Sequence, residues 1–333
     1  MAPRRFWSNI TVTSSFDVGD RAIGVVLGGA VGDALGAGYE FQYSIPADTV
    51  TMRPGVLTGR PAGQWTDDTD MAIALALATL AHGGAHTTAA QDDIVRRWVE
   101  WADAARDIGV QTRGVLSGLG GAPTAAAASA AAKQLHEATG RSGGNGSLMR
   151  TAPLALAYLN DPDVLWQVAQ DVSALTHFDP AAGEACALWC MAIRHAVLEG
   201  TFDGMRDALH RLPADRRAHW EQRLDAAEAG QPWHFPNNGW VETAFQAAWC
   251  AVVTTPEQPL HPQFHVFPAQ TAGIAIERAV RAGHDTDTVA AIAGSLIGAR
   301  WGMSALPSRW LSAVHGWPGM RANDLQQIGR AHV

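Results

Sequence analysis

A glycine spacing near the N-terminus constrains the fold more than any other feature. Gly24, Gly28, Gly32 and Gly36 recur at every fourth position of a largely apolar segment. On an α-helix these positions share one face, and a face without Cβ atoms lets a second helix approach closely. A helical glycine costs about 1 kcal/mol relative to alanine, so tight packing has to compensate. We therefore predict a central, buried helix.

Helical patterns dominate the chain beyond this segment. Stretches rich in Ala, Leu and Met alternate with clusters of Gly, Pro, Asn and Asp, and short β-branched alternation is rare. Helices are predicted at 22–35, 71–81, 91–105, 124–137, 163–175, 181–199, 241–253, 269–281 and 288–302, with a charged helix-like piece at 215–228. We predict an all-α fold in one compact domain, residues 21–333 after an N-terminal extension at 1–20, because no linker-like stretch divides the chain.

Composition narrows the classes of function. The 333 residues carry a net charge of -8, and Lys and Arg are scattered, so no basic stripe is available for a nucleic-acid backbone. Three cysteines cannot form a disulfide framework, and Cys186 and Cys190, four positions apart, are expected in the core. No export signal follows the N-terminus, and the glycine-rich helix is too short to span a bilayer. We expect a cytoplasmic protein, monomeric and without a membrane partner.

Two acidic clusters stand directly before apolar helices. One is TDDTD at 66–70 and the other is DTDT at 285–288. Such residues can cap a helix, but one cap needs one side chain, and three Asp in five residues add repulsion that a cation would relieve. Ligands that are all oxygen atoms select hard cations. We predict that the clusters meet in space and bind Mg²⁺ or Mn²⁺, with capping alone as the alternative.

A glycine-rich turn, GGNGSLMR, occupies residues 143–150. Its backbone amides could hold a diphosphate at the start of a helix, or it could be a plain turn. It lacks the Gly-Lys-Ser/Thr end of a Walker A loop. A second candidate border of the site is the loop at 231–240, which is rich in Trp, Pro, Asn and His and long for a compact domain.

Taken in order, these motifs resemble the ADP-ribosylglycohydrolase family. The resemblance rests on GDALG at 32–36 with Glu40 after it, WTDDT at 65–69, DIG at 107–109, GNGSLMR at 144–150, TH at 176–177 and GHDTDT at 283–288. It implies an orthogonal helical bundle with two Mg²⁺ or Mn²⁺ ions in a cleft. It also implies hydrolysis of the glycosidic bond between ADP-ribose and a protein side chain, arginine being favoured, or another acceptor.

The resemblance assigns roles to particular residues. The implied metal ligands are Thr66, Asp67, Asp68, Asp285, Asp287 and Thr288. The implied catalytic residues are Asp107, Glu40 and Asp67, and the sequence does not decide between Asp107 and Glu40 as acid or base. The implied contacts to the substrate are Gly144, Asn145, Gly146, Ser147, His177, Trp240 and His284. For His177 and Trp240 a place in the core is the alternative.

One departure from the family and two rival functions bear on these assignments. Val110 follows DIG where arginine-specific relatives tend to have Asn, which leaves the acceptor open. A helical metal-dependent phosphohydrolase is the first rival, because His284 adjoins Asp285. The second rival is a catalytically silent protein that binds ADP-ribose.

Overall fold

The fold is a bundle of helices around one core. The computed structural model describes residues 15–45, 50–121 and 123–333. Within them the α-helices, α1 to α15 in order, are Ser15–Gly36, Asp67–His82, Thr88–Ala102, Val110–Leu116, Ala125–Thr139, Pro153–Ala157, Pro162–Ala174, Pro180–Glu199, Gly204–Asp207, Ala214–Glu228, Val241–Val253, Gln270–Val280, Thr286–Trp301, Ser308–Ala313 and Ala322–Ala331. The strands β1 (His315–Gly316) and β2 (Met320–Arg321) form a short antiparallel pair.

The all-α prediction is confirmed, and each of the predicted helices is present. The sequence did not predict the short helices α4, α6, α9 and α14, the strand pair, or α15. Most of these elements are too short to show a helical period. Of the predicted N-terminal extension, residues 1–14 lie outside the described residues, and residues 15–20 belong to α1.

Helix α1 packs on α13 with backbone against backbone. A Cβ atom built on Gly24 would lie 2.2 Å from the carbonyl oxygen of Gly298, and one on Gly28 would lie 2.2 Å from that of Gly294. The same construction on Gly32 meets the carbonyl oxygen of Ala290 at 1.9 Å. The glycine face predicted from the sequence is therefore the face that α13 contacts.

This packing joins the C-terminal end of α1 to the N-terminal end of α13. The hydroxyl of Thr286 donates to the carbonyl of Gly36 at 2.8 Å. Asp33, fully buried on α1, accepts the backbone N–H groups of Thr66 and Thr69 at 2.9 and 3.0 Å and so holds the start of α2. The starts of α2 and α13 are thus fixed beside the same end of α1.

Large aromatic side chains fill the interior around these helices. Trp65, Trp98, Trp101, Trp189 and Trp220 are all at most 1% exposed. Cys186 and Cys190 are free and fully buried among them, as the sequence predicted. Among the described residues, no helix has the length and apolar character needed to cross a membrane.

Candidate active site

The two acidic clusters lie in contact, as the sequence predicted. The hydroxyl of Thr288 donates to Oδ2 of Asp68 at 3.3 Å, and that of Thr66 donates to the same oxygen at 3.1 Å. Thr66 also caps α2, because its side chain accepts the backbone N–H of Asp68. Thr66 therefore does cap α2. The cap uses one hydroxyl only and leaves carboxylates of the cluster available to a cation.

A cleft of about 380 Å³ opens above these clusters. Ten of the predicted site residues line it: Glu40, Asp67, Asp107, Gly144, Asn145, Gly146, His177, Asp285, Asp287 and Thr288. Segments that are far apart in sequence, from the turn after α1 to the start of α13, therefore supply one site.

Five of the predicted residues do not line this cleft. Thr66 and Asp68 are buried; Asp68 is joined to the lining residue Thr288 by a hydrogen bond, and Thr66 bonds to Asp68. The Ser147 hydroxyl faces the core, where it accepts from Ser173 at 2.8 Å. Trp240 is half-buried and packs over Gly143, and the His284 ring lies edge-on to Tyr43 at 4.9 Å.

Burial and mutual repulsion disfavour the charged forms of these carboxylates. Burial raises the pKa of Glu40 to about 8 and that of Asp67 to about 7, and in both the next cause is the nearby charge of Asp107. Burial and neighbouring carboxylates also raise the pKa values of Asp68 and Asp287 well above their ordinary range. A positive charge in the cleft would oppose these shifts.

Unpartnered oxygen atoms mark where a cation would fit. Oδ1 of Asp68, Oδ1 of Asp287 and Oε2 of Glu40 are buried and accept no hydrogen bond. Among the described residues, no three Asp, Glu, His or Cys side chains form a ready set of metal ligands by themselves. The oxygen atoms available here are those of carboxylates and threonine hydroxyls. Mg²⁺ coordinates oxygen ligands together with water molecules, so the residues present fit a hard divalent cation.

Asp70, the last residue of the first cluster, has a different role. Its carboxylate accepts the indole N–H groups of Trp65 at 2.8 Å and Trp101 at 2.9 Å, on the core side of α2. Burial raises the pKa of Asp70 to about 8, and the charges of Asp33 and Asp67 add to this rise, so the predicted repulsion within the cluster is present. Because two indoles bind its oxygens, Asp70 itself is not available to a cation.

Asp107 is held by an arginine that the sequence analysis did not identify. One guanidinium nitrogen of Arg60 lies 3.0 Å from Oδ2 of Asp107, and another donates to the carbonyl of Trp65 at 3.1 Å. The Arg60 side chain is 13% exposed and that of Asp107 is 38% exposed. No local pattern around Arg60 indicates this contact, which joins residues 47 positions apart.

The glycine-rich turn forms the part of the cleft wall next to the second acidic cluster. Asn145 begins a short 3₁₀ turn, Asn145–Ser147, and its side-chain amide donates to Asp285 at 2.7 Å and to the carbonyl of Asn238 at 2.8 Å. Gly144 and Gly146 lie against the imidazole of His177, and a Cβ atom on Gly146 would lie 3.0 Å from that ring. The turn therefore presents its backbone to the cleft.

His177 lies behind this turn as a neutral base. Its Nδ1 lies 2.8 Å from the Thr176 hydroxyl, which accepts from the guanidinium of Arg150 at 2.6 Å. Arg150 is buried and stacks on Trp98, with 3.9 Å between its guanidinium carbon and the ring centroid. Burial, followed by the charge of Arg150, lowers the pKa of His177 well below its ordinary value.

The loop at 231–240 borders the cleft, as the sequence analysis suggested. Gly239 lines it, and the carbonyl of Gly239 accepts the N–H of Asn145 at 3.1 Å. Asn238 is fully buried, donates to the carbonyl of Gly283 and accepts the N–H of Asp285. Asn238 thus fixes the start of the second acidic cluster, a role that the sequence analysis missed.

Comparison with known proteins points to one family. Residues 14–332 match the family model described as ADP-ribosylglycohydrolase. A solved structure titled "ADP-ribosylglycohydrolase-related protein complex" is similar, with a TM-score of 0.69 and 28% identity over 95% of this chain and 98% of that one.

Curated relatives agree with this match. The chain is 31% identical to the ADP-ribosyl-[dinitrogen reductase] glycohydrolase of Rhodospirillum rubrum, over 89% of this chain and 91% of the relative. It is 30% identical to an ADP-ribosylarginine hydrolase of Pseudomonas putida, over 89% of this chain and 74% of the relative.

Proposed function

Because the chain belongs to the ADP-ribosylglycohydrolase family, we propose that its cleft releases ADP-ribose from a modified protein side chain, with arginine as the favoured acceptor. The names of two relatives, an ADP-ribosyl-[dinitrogen reductase] glycohydrolase and an ADP-ribosylarginine hydrolase, support this acceptor. The observation that carries the proposal is the meeting of the two acidic clusters beside a glycine-rich turn in one cleft.

Two divalent cations, Mg²⁺ or Mn²⁺, are the cofactors we propose. Their ligands would be Thr66, Asp67, Asp68, Asp285, Asp287 and Thr288, two of which carry the unpartnered carboxylate oxygens. When bound, such ions neutralise the carboxylates, orient the ribose hydroxyls and lower the pKa of a water molecule.

The chain's own residues then have separable tasks. The backbone of Gly144 and Gly146 lines the cleft and can approach a diphosphate without side-chain hindrance. Asp285 is oriented by Asn145 and Asn238. Cleavage of the glycosidic bond requires a proton for the departing acceptor, and a carboxyl group that lines the cleft can supply it.

Between the two candidate carboxyl groups we favour Glu40 as the proton carrier. Its Oε2 is buried and has no partner, so it is available to a ligand. The Asp107 carboxylate is instead held by Arg60, which makes Asp107 a positioning group for the acceptor. The sequence left this choice open.

The rival functions receive less support. A phosphohydrolase of the helical metal-dependent class would need histidine ligands, and His284, the histidine beside the second cluster, does not line the cleft. A silent ADP-ribose-binding protein would not need both acidic clusters in contact. A cytoplasmic location and a monomeric state stay predictions.

A substrate panel tests the proposal. ADP-ribosylated arginine, serine and nucleic-acid ends are offered to the protein with Mg²⁺ or Mn²⁺, and released ADP-ribose is measured by chromatography. We expect release from the arginine-linked substrate to be fastest. Release from none of them, although calorimetry shows that ADP-ribose binds, would favour the silent protein instead.

A further inference from the structure

A second pocket lies beside the cleft, on the far side of Glu40, Phe41 and Asp107. These three residues line both spaces. The second space measures about 220 Å³, and we call it the side pocket. Its other lining residues are Thr58, Gly59, Arg60, Pro61, Gln64 and Arg106. A substrate bound in the cleft by its ADP-ribose would have its acceptor close to the side pocket, because Asp107 and Glu40 belong to both.

The side pocket contains two arginines in different electrostatic situations. Arg60 is paired with Asp107 and with the Trp65 carbonyl. Arg106 is exposed and makes no hydrogen bond or ion pair with any residue that the structure describes. In a protein with a net charge of -8, an unpaired guanidinium beside the site attracts a negative group on an incoming ligand.

Apolar surface adjoins this charge. Phe41 is 55% exposed and has a φ of 64°, a conformation uncommon for an aromatic residue, which the hydrogen bond from its N–H to the His284 carbonyl maintains. The loop that supplies Thr58 and Gly59 also exposes Val56 (73%) and Leu57 (68%). Exposed apolar groups beside one guanidinium that is unpaired among the described residues suit a polypeptide better than a polyanionic nucleic acid, which calls for several basic contacts.

We propose that the side pocket recognises an acidic residue next to the modified residue of a protein substrate, with Arg106 as the residue that contacts its carboxylate. This inference rests on the proposed function, because it assumes that the cleft holds ADP-ribose and that the acceptor leaves past Asp107. Arg106 is then a specificity residue, and the catalytic groups are unchanged.

Paired peptides test this proposal. Each peptide carries the same ADP-ribosylated acceptor, flanked by Asp, Ala or Lys, and kcat/KM is measured for release of ADP-ribose. The wild-type protein is expected to prefer the Asp peptide over the Ala peptide by about two- to fivefold, as for an exposed ion pair, and to lose the preference at high salt. Arg106→Gln removes the preference, and Arg106→Glu reverses it toward Lys. Arg113→Glu changes an exposed arginine of α4 outside both pockets and keeps the wild-type ratio.

Three outcomes would overturn the proposal. The first is equal rates for the three peptides with wild-type protein. The second is an equal effect of Arg106→Glu and Arg113→Glu on the preference, since the net charge of the protein, and not a contact to Arg106, would then explain it. The third is an Arg106-dependent preference for an ADP-ribosylated nucleic-acid end over every peptide. Failure of the proposed function looks different, because the minimal ADP-ribosylated amino acids would then also remain uncleaved by the wild-type protein.

Discussion

Glu40 and Asp107 face the same cleft in different surroundings. Burial raises the pKa of Glu40 to about 8 and leaves its Oε2 without a partner. Asp107 is partly exposed and paired with Arg60 at 3.0 Å. A buried carboxyl oxygen without a partner is free to exchange a proton with a bound ligand, whereas a carboxylate held by a guanidinium is suited to positioning.

The substitutions Glu40→Gln and Asp107→Asn separate these roles. Glu40→Gln preserves the shape but removes the proton carrier, so kcat for ADP-ribose release should fall by about 10²–10⁴. Asp107→Asn should lower kcat by less than about tenfold and act mainly on KM. Steady-state kinetics at saturating Mn²⁺ measures both, and calorimetry checks that ADP-ribose still binds. If kcat collapses for Asp107→Asn alone, the proton carrier is Asp107 and not Glu40.

Residue-scale prediction succeeded where a motif carries the chemistry and failed where a distant contact does. The sequence correctly predicted that the clusters of Asp68 and Thr288 meet, because hydroxyls and carboxylates before two helices are a recognisable pattern. Asp33 stands in the GDALG motif, but the motif does not indicate its bonds to the start of α2, and Arg60 belongs to no motif. Asp70 lies in the same cluster, but nothing in the sequence indicates that two indoles bind its carboxylate.

At the scale of elements, the contact between α1 and α13 sets the geometry of the cleft. A Cβ atom on Gly36 would lie 2.5 Å from Cα of Asp287, so this contact also places a candidate ligand. The sequence predicted the glycine face of α1 but not its partner helix, since α13 offers the matching residues Gly294 and Gly298 within a run that is buried on every side. Periodicity identifies a face and leaves its partner open.

Substitution of two adjacent glycines in α1 tests this packing. In Gly28→Ala the new Cβ would lie 2.2 Å from the Gly294 carbonyl oxygen, so α1 and α13 must move apart. The free energy of unfolding should therefore fall by several kcal/mol. In Gly29→Ala the nearest atoms lie at 3.7 Å, and the better helix propensity of alanine should leave stability unchanged or raise it by up to about 1 kcal/mol. Urea titrations compare the two proteins. Equal stability for both would contradict the close approach.

For the whole molecule, the buried carboxylates couple stability to pH and to metal. The ordinary pKa values are 4.5 for Glu40 and 3.8 for Asp67, and the folded protein raises them to about 8 and about 7. Between these values the folded protein binds protons that the unfolded chain has released. Stability of the metal-free protein should therefore fall as the pH rises from the ordinary pKa values through the raised ones.

Thermal unfolding tests this coupling. In EDTA, Tm should fall between about pH 5 and about pH 8, and Mn²⁺ should raise Tm more at the upper end, because a cation replaces the protons. The double variant Asp68→Asn, Asp287→Asn should have a weaker pH dependence and little response to Mn²⁺. Glu221→Gln, which changes an exposed carboxylate of α10, should behave like the wild-type protein. A Tm in EDTA that rises over this pH range would contradict the account.

We propose that the two acidic clusters form one cation-dependent site for the release of ADP-ribose. The most direct measurement is the rate of ADP-ribose release from ADP-ribosylated arginine as Mn²⁺ is added to EDTA-treated protein, for the wild type and for Asp287→Ala. We expect a saturable rise for the wild type from near zero, and no rise for Asp287→Ala although it remains folded by circular dichroism. A wild-type rate that is the same in EDTA as in saturating Mn²⁺ would contradict the claim.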